Sequence, residues 1–328
     1  SLLATVIGIT AITLYMFATV PSSAVQRDFE LFLQTHGVSY NSMSEYDFRL
    51  QTFNSNLKTI EELRQANPHA TFGINKFADR TPEEMKKRMG YTAGMNAKAC
   101  DKIKIDADLT KAKNFQMYMG QVKDQGQCGS CWAFSAIGAA EGRYNYHLAR
   151  PRVEVSFSES QLVDCDTTSA GCNGGLMETA FEFFEDHDMC SASDYPYDPH
   201  DRTCHESDCK QKGIRVSSCS TFGNKKNDEI VTALENGPVA VAVDASSWSF
   251  YSGGVLTSCG KSLNHGVTLV AYKDADSEND IASVVIRNSW GSGWGEEGHI
   301  RLGYADGVCG WDRSEERRVG KECRSRWS

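Results

Sequence analysis

Gln125-Gly126-Gln127-Cys128-Gly129-Ser130-Cys131-Trp132-Ala133-Phe134 is the stretch on which the reading of this chain turns. Its second cysteine opens a run, Trp132–Leu148, whose apolar residues recur at helical spacing. A cysteine nucleophile acts as its thiolate. At a helix N-terminus the sulfur meets the partial positive charge of the helix end, beside a free backbone N–H aimed at a developing oxyanion. Gln125, upstream in the same stretch, offers a second donor from its side-chain amide. Two other readings of Cys128-x-x-Cys131 exist. A thioredoxin-like redox pair expects a βαβ pattern before it, and none precedes it here. Half a zinc site expects a second Cys-x-x-Cys or His-x-x-x-His, and neither is present.

A nucleophile of this kind needs a base and a group that orients the base. Leu263-Asn264-His265-Gly266-Val267 offers a histidine at the head of a strand pattern, and Ile286-Arg287-Asn288-Ser289-Trp290-Gly291 offers an amide. Taken singly, His265 reads as a structural histidine and Asn288 as a turn residue. Gly291, Gly293 and Gly295 hint at a phosphate loop, but no helix start follows them.

Together the three stretches resemble the cysteine, histidine and asparagine motifs of the papain family of cysteine proteases, whose signature is Cys-Gly-Ser/Ala-Cys-Trp/Tyr. The resemblance runs from about Phe29 to Asp312. It implies that Cys131 attacks a peptide carbonyl, that His265 pairs with it as an ion pair and protonates the leaving amine, and that Asn288 holds the imidazole. Trp290 would cover that bond from water. It further implies that Gly174 and Gly175, within Cys172-Asn173-Gly174-Gly175, let a substrate backbone approach. Leu176, Met177, Ala242, Leu263 and Gly266 would line an apolar pocket for a bulky side chain before the scissile bond. The residue closing its floor would fall near position 314. Disulfides Cys128–Cys172, Cys165–Cys204 and Cys259–Cys309 are implied, each stabilising by roughly 3–5 kcal/mol, with Cys190–Cys209 as a further pair and Cys131 left free. The implied fold is α+β, a papain-like pair of lobes, one helical and one β-barrel-like, with the site between them. No metal or organic cofactor is needed.

Upstream, Phe29, Phe32 and Leu33 share one helical face, and Phe48, Phe53, Leu57 and Ile60 mark a second, longer helix. Glu45, Arg49, Phe53, Asn56 and Ile60 resemble the interrupted helix signature of cathepsin L-like propeptides, with Arg64 where that signature ends in Asn. Gly73, Asn75, Phe77 and Asp79 match its companion Gly-x-Asn-x-Phe-x-Asp in full. The resemblance thus implies an inhibitory propeptide whose C-terminal part blocks the cleft in the direction opposite to substrate. Acid would weaken it by protonating carboxylates such as Asp79. The usual Asp-Trp-Arg at the mature start is Asp108-Leu109-Thr110 here, which places maturation between about Ala97 and Ala107.

Further on, helices are expected over Glu159–Asp164, Met177–His187 and Asp228–Asn236, with Ser158 and Gln161 as a capping box for the first. Strands are expected over Val239–Val243, Val267–Tyr272 and Ser283–Ile286. Helices first and strands later are the order of an α+β fold.

Composition sets the compartment and the partners. Among 328 residues, twelve are cysteine, which points to an oxidising route. A net charge of −9 argues against nucleic acid. Leu2–Val20 is apolar and is followed by Pro21-Ser22-Ser23-Ala24, which reads as a signal peptide cleaved after Ala24 rather than a membrane anchor. The C-terminal string RSEERRVGKECRSRWS, Arg313–Ser328, resembles an in-frame translation of a common sequencing adapter. The expected organisation is signal peptide 1–24, propeptide 25–104, peptidase domain 105–312 and tail 313–328, the tail lying on the surface with few contacts. Protein and peptide substrates and the chain's own propeptide are the expected partners, with no stable membrane association once the signal is cleaved. The expected location is the secretory pathway, ending in a lysosome- or vacuole-like acidic compartment or outside the cell. A peptide-binding relative without activity would lack the nucleophile or the base, and both are present. A Cys-His ligase would share both.

Overall fold

The computed structural model describes residues 21–92, 101–103, 113–148, 155–210, 214–222, 227–277, 280–305, 308–311 and 318–325. The apolar run Leu2–Val20, most of the expected maturation interval and position 314 lie outside the described residues. No described helix is long and apolar enough to cross a membrane.

The helices are α1 (Ser23–His36), α2 (Met43–Ala66), α3 (Pro82–Lys86), α4 (Cys131–His147), α5 (Glu159–Cys165), α6 (Met177–Asp186) and α7 (Asn227–Ala233). The strands are β1 (Ala70–Phe72), β2 (Asp101–Ile103), β3 (Lys113–Asn114), β4 (Ile214–Phe222), β5 (Val239–Val243), β6 (Tyr251–Leu256), β7 (His265–Lys273), β8 (Ser283–Arg287), β9 (His299–Gly303) and β10 (Arg318–Ser325). They form one mixed sheet in the order β1-β6-β9-β8-β7-β5-β10-β4-β2, with β3 beside β7.

Two cores flank the cleft, as a papain-like pair of lobes requires. Strand β5 explains why. Its Val239, Val241 and Val243 enter one core with Leu269, Ile286, Ile300 and Leu302, while Ala240 and Ala242 enter the other with α4 and α6. A strand covered on both faces reads as a continuous apolar run, and its period of two sorts large side chains to one lobe and small ones to the other.

The N-terminal segment has a small core of its own. Phe29 and Phe32 of α1 pack against Phe53 of α2 with tilted rings. The two signature motifs hold each other. Arg49 grips Glu84 through two bonds of 2.6 and 2.8 Å, Asn56 donates to Ala78 O and Arg80 O, and Tyr40 donates to Asp79 Oδ2 at 2.7 Å. Arg64, the departure from the signature, donates to Phe72 O and so anchors β1. Strand β1 then adds to the edge of β6, with Ala70 opposite Gly254.

Two expectations need correction. Ser158 accepts from Gln161 N, but the Gln161 side chain turns to Asp188 O and Glu206 instead of closing a capping box. The reciprocal box belongs to Thr81 and Glu84 at the start of α3. The C-terminal tail does not stay off the fold: Arg318–Ser325 pairs antiparallel with β4 and touches β5. A strand edge offers unpaired N–H and C=O groups to any extended chain, without side-chain recognition.

Candidate active site

The site is assembled where α4 meets β7. Ser130 precedes α4 without capping it, because its hydroxyl is bonded to Tyr197 at 2.7 Å. The first turn of α4 therefore keeps donors free beside Cys131. Gly129 fits tightly under this turn: its N–H donates to Cys172 O at 2.9 Å, and the Cys128–Cys172 disulfide closes the same loop. Cys165–Cys204, Cys190–Cys209 and Cys259–Cys309 are also joined, and among the described residues Cys131 is the free thiol.

Gln125 is fixed on both sides of its amide. Ser289 Oγ donates to its Oε1 at 2.7 Å, which turns Nε2 toward Cys128 O and toward Arg88 O, both at 2.8 Å. Beneath it, Lys123 bridges Glu141 of α4 and Glu159 of α5 at 2.9 and 2.6 Å, tying the Gln125 loop to the helical lobe.

His265, at the head of β7, is fully buried. Its Nε2 lies 2.8 Å from Asn288 Oδ1, which also accepts from Ser289 N. An acceptor there puts the proton on Nε2 and leaves Nδ1 as the basic atom. Trp290 lies against the ring with centroids 5.1 Å apart, and it is itself buried.

The expected cysteine–histidine ion pair is not formed in this structure. Cys131 Sγ accepts instead from Gly90 N at 3.2 Å and Gly266 N at 3.3 Å, while His265 Nδ1 makes no hydrogen bond among the described residues. The N-terminal segment lies over the sulfur, with its Gly90 N–H pointing at it. Burial pushes the Cys131 thiol up to about 11 against the pull of the two N–H donors. Burial also pulls His265 down to about 4 against its bond to Asn288. Burial thus favours the neutral form of each.

The covering segment runs in one direction. Arg88 O meets Gln125, Gly90 N meets Cys131, Gly175 N donates to Gly90 O at 2.9 Å, and Thr92 N donates to Gly175 O at 3.2 Å. Tyr91 pairs in parallel with Gly175 and is buried in one cluster with Leu176, Met177, Ala242 and Leu263. Gly266 packs closely against Met177 and α4, since a side chain on it would sit 3.1 Å from Met177 Sδ. Gly174, with φ of 118°, sits in a conformation that favours glycine. The motifs did not single out Arg88, Gly90 and Tyr91, because these are scattered single residues that acquire meaning only from what they touch.

A family model described as papain family cysteine protease matches residues 106–317, and one described as cathepsin propeptide inhibitor domain matches residues 29–85. The chain belongs to the papain family of cysteine proteases. It carries that family's inhibitory prosegment and is therefore made as a proenzyme. "Cathepsin L 2" of Paramecium tetraurelia is 39% identical over 281 residues, 82% of this chain and 86% of that one. "Cysteine proteinase B" of Leishmania mexicana is 38% identical over 298 residues, covering 86% of this chain but only 66% of its own length. Procathepsin L 3 from the larval midgut of Tenebrio molitor superposes with a TM-score of 0.78 at 32% identity, covering 91% of this chain and 99% of that structure.

Proposed function

We propose that the chain is a cysteine endopeptidase held inactive by its prosegment, with Cys131 as nucleophile, His265 as base and acid, Asn288 as orienter and Gln125 as oxyanion donor. The observation that carries this reading is a peptide already lying over the sulfur: Gln125 donates to the Arg88 carbonyl while Gly90 N–H touches Cys131 Sγ. With a substrate running the other way, the scissile carbonyl oxygen takes the Gln125 amide and the α4 N–H. Loss of the thiol proton to His265 Nδ1 gives thiolate and imidazolium. The sulfur bonds to the carbonyl carbon, and the imidazolium returns its proton to the departing amine. Water, deprotonated by His265, then breaks the thioester. The burial of Tyr91 in one apolar cluster with Leu176, Met177, Ala242 and Leu263 supports a bulky apolar residue before the scissile bond. The four described disulfides fit a secretory or lysosomal route.

Acid is the expected trigger. His265 binds its proton more weakly under the prosegment than free, so prosegment docking is fully favoured above its ordinary value of 6.5 and is lost as pH falls toward about 4. Asp124 points the same way. Burial opposes its ionisation, but Lys76, Gly126 N–H and Arg88 outweigh that and hold its carboxyl below the ordinary value, as Arg49 and Thr81 do for Glu84. These contributions are likewise present at neutral pH and lost on acidification. The purified precursor is expected to be inert near neutral pH and to process itself between about pH 6 and 4. N-terminal sequencing of the product, peptide hydrolysis set against peptide ligation, and labelling of Cys131 by an epoxide inhibitor test the reading together. Full activity of the uncut chain at neutral pH, or ligation in place of hydrolysis, overturns it.

The adapter origin of Arg313–Ser328 is proposed on its composition, six basic and three acidic residues with no apolar period. Genomic sequence across the Asp312 codon is expected to diverge from the string after that point. Codons that continue through Ser328 would make β10 a natural strand.

A further inference from the structure

We propose that Asp124 is a recognition site for a basic side chain on the leaving-group side of the scissile bond, occupied in the precursor by Lys76 and Arg88. This rests on the peptidase reading above. Asp124 precedes Gln125 and is bridged by backbone pairing to Trp290, so it shares the wall that carries the oxyanion donor. Its Oδ1 accepts from Gly126 N at 3.0 Å, which aims the carboxylate from within its own loop. Onto it converge two prosegment cations, Lys76 Nζ at 2.6 Å from Oδ2 and an Arg88 guanidinium nitrogen at 3.0 Å from Oδ1. Both cations also lie over the Phe77 ring, at 5.1 and 4.8 Å.

The path of the prosegment places this carboxylate along the cleft. Arg88 lies at Asp124, Gly90 at Cys131, and Tyr91 and Thr92 at Gly175. One chain therefore meets Asp124, then the sulfur, then the glycine wall. A substrate whose acyl part pairs with Gly174–Gly175 puts its amine part at Asp124. Two extended residues span about 7 Å, so the first or second residue after the scissile bond brings a Lys or Arg head within reach. Cleavage and departure of the prosegment remove Lys76 and Arg88 together. They leave a carboxylate that its own loop still points into the cleft, with the side-chain sites of both cations open to substrate. The prosegment would then imitate a substrate in charge while reversing it in direction.

The test uses the full chain, matured by acid. Quenched fluorogenic peptides share one acyl half, with Leu before the scissile bond, and carry Arg, Gln or Glu at the first or second position after it. The wild-type enzyme is expected to cleave the Arg peptides about three- to tenfold faster in kcat/KM than the Glu peptides, the range for a partly exposed ion pair. Salt at roughly 0.5 M should shrink that ratio, because an exposed pair is screened. Asp124→Asn is expected to bring the Arg-to-Glu ratio close to one, and Asp124→Glu to preserve it. Hydrolysis without an Arg preference, a preference insensitive to salt, or one that survives Asp124→Asn overturns this assignment alone. Failure to hydrolyse any of the peptides overturns the peptidase reading and this inference with it.

Discussion

Replacing Cys131 by alanine abolishes peptide hydrolysis while the protein still folds, an expected loss of about a millionfold in kcat, the scale seen when a covalent nucleophile is deleted. Fold and function separate here because of what the sulfur touches. Cys131 is fully buried yet carries no disulfide, and its packing neighbours Trp132 and Ala133 are held by α4 itself. The substitution removes one atom and two weak N–H···S contacts, from Gly90 and Gly266. Cys131→Ser keeps the atom count but supplies a hydroxyl that ionises far less readily, so it is expected to be equally inactive. Asn288→Ala is milder, roughly a hundredfold in kcat, because it frees the imidazole to rotate and removes no bond-making group. Turnover that persists in purified Cys131→Ala protein, with its circular dichroism unchanged, would refute the mechanism.

The parts of this molecule that were legible in the sequence are those fixed by local chemistry. Cys131 could be placed at a helix start because the apolar spacing of α4 begins there, and β5 could be placed because a run of Val and Ala buried on both faces has few other uses. His265 and Asn288 were legible as motif members, and their 2.8 Å contact follows from the pairing of β7 with β8, which sets Thr268 opposite Arg287. What was not legible depends on contacts between distant segments. Strands β4, β6 and β9 went unassigned. In β6, Gly253 and Gly254 break the pattern, and Gly254 is needed because the prosegment backbone packs against it: a side chain there would lie 2.4 Å from His69 O. The cover over Cys131 was also out of reach, since it comes from a segment some forty residues upstream of the nucleophile.

Gly90→Ala is expected to unlatch the precursor. A methyl group at position 90 would fall 1.7 Å from Gly129 O and 2.4 Å from Gly129 C. Neither side can yield cheaply, because Gly129 is pinned by its bond to Cys172 O and by the neighbouring Cys128–Cys172 disulfide. The prosegment has to lift instead. Lifting costs about 1–3 kcal/mol of overpacking relief together with the Gly90 contacts to Cys131 and Gly175, at about 0.5–1.5 kcal/mol for an ordinary hydrogen bond. At 1.4 kcal/mol per tenfold, these terms together, about 2–6 kcal/mol, weaken docking by roughly thirty- to twenty-thousandfold. The intact Gly90→Ala chain should therefore hydrolyse a fluorogenic peptide at neutral pH, and its Cys131 should be alkylated quickly where the wild-type thiol is shielded. Gly73 supplies the contrast. It is the glycine of the prosegment signature, yet a methyl group there meets nothing nearer than Ser252 Oγ at 4.0 Å. Gly73→Ala should keep the precursor latent. Equal latency in both variants would mean that the close approach of Gly90 to Gly129 is not what shuts the cleft.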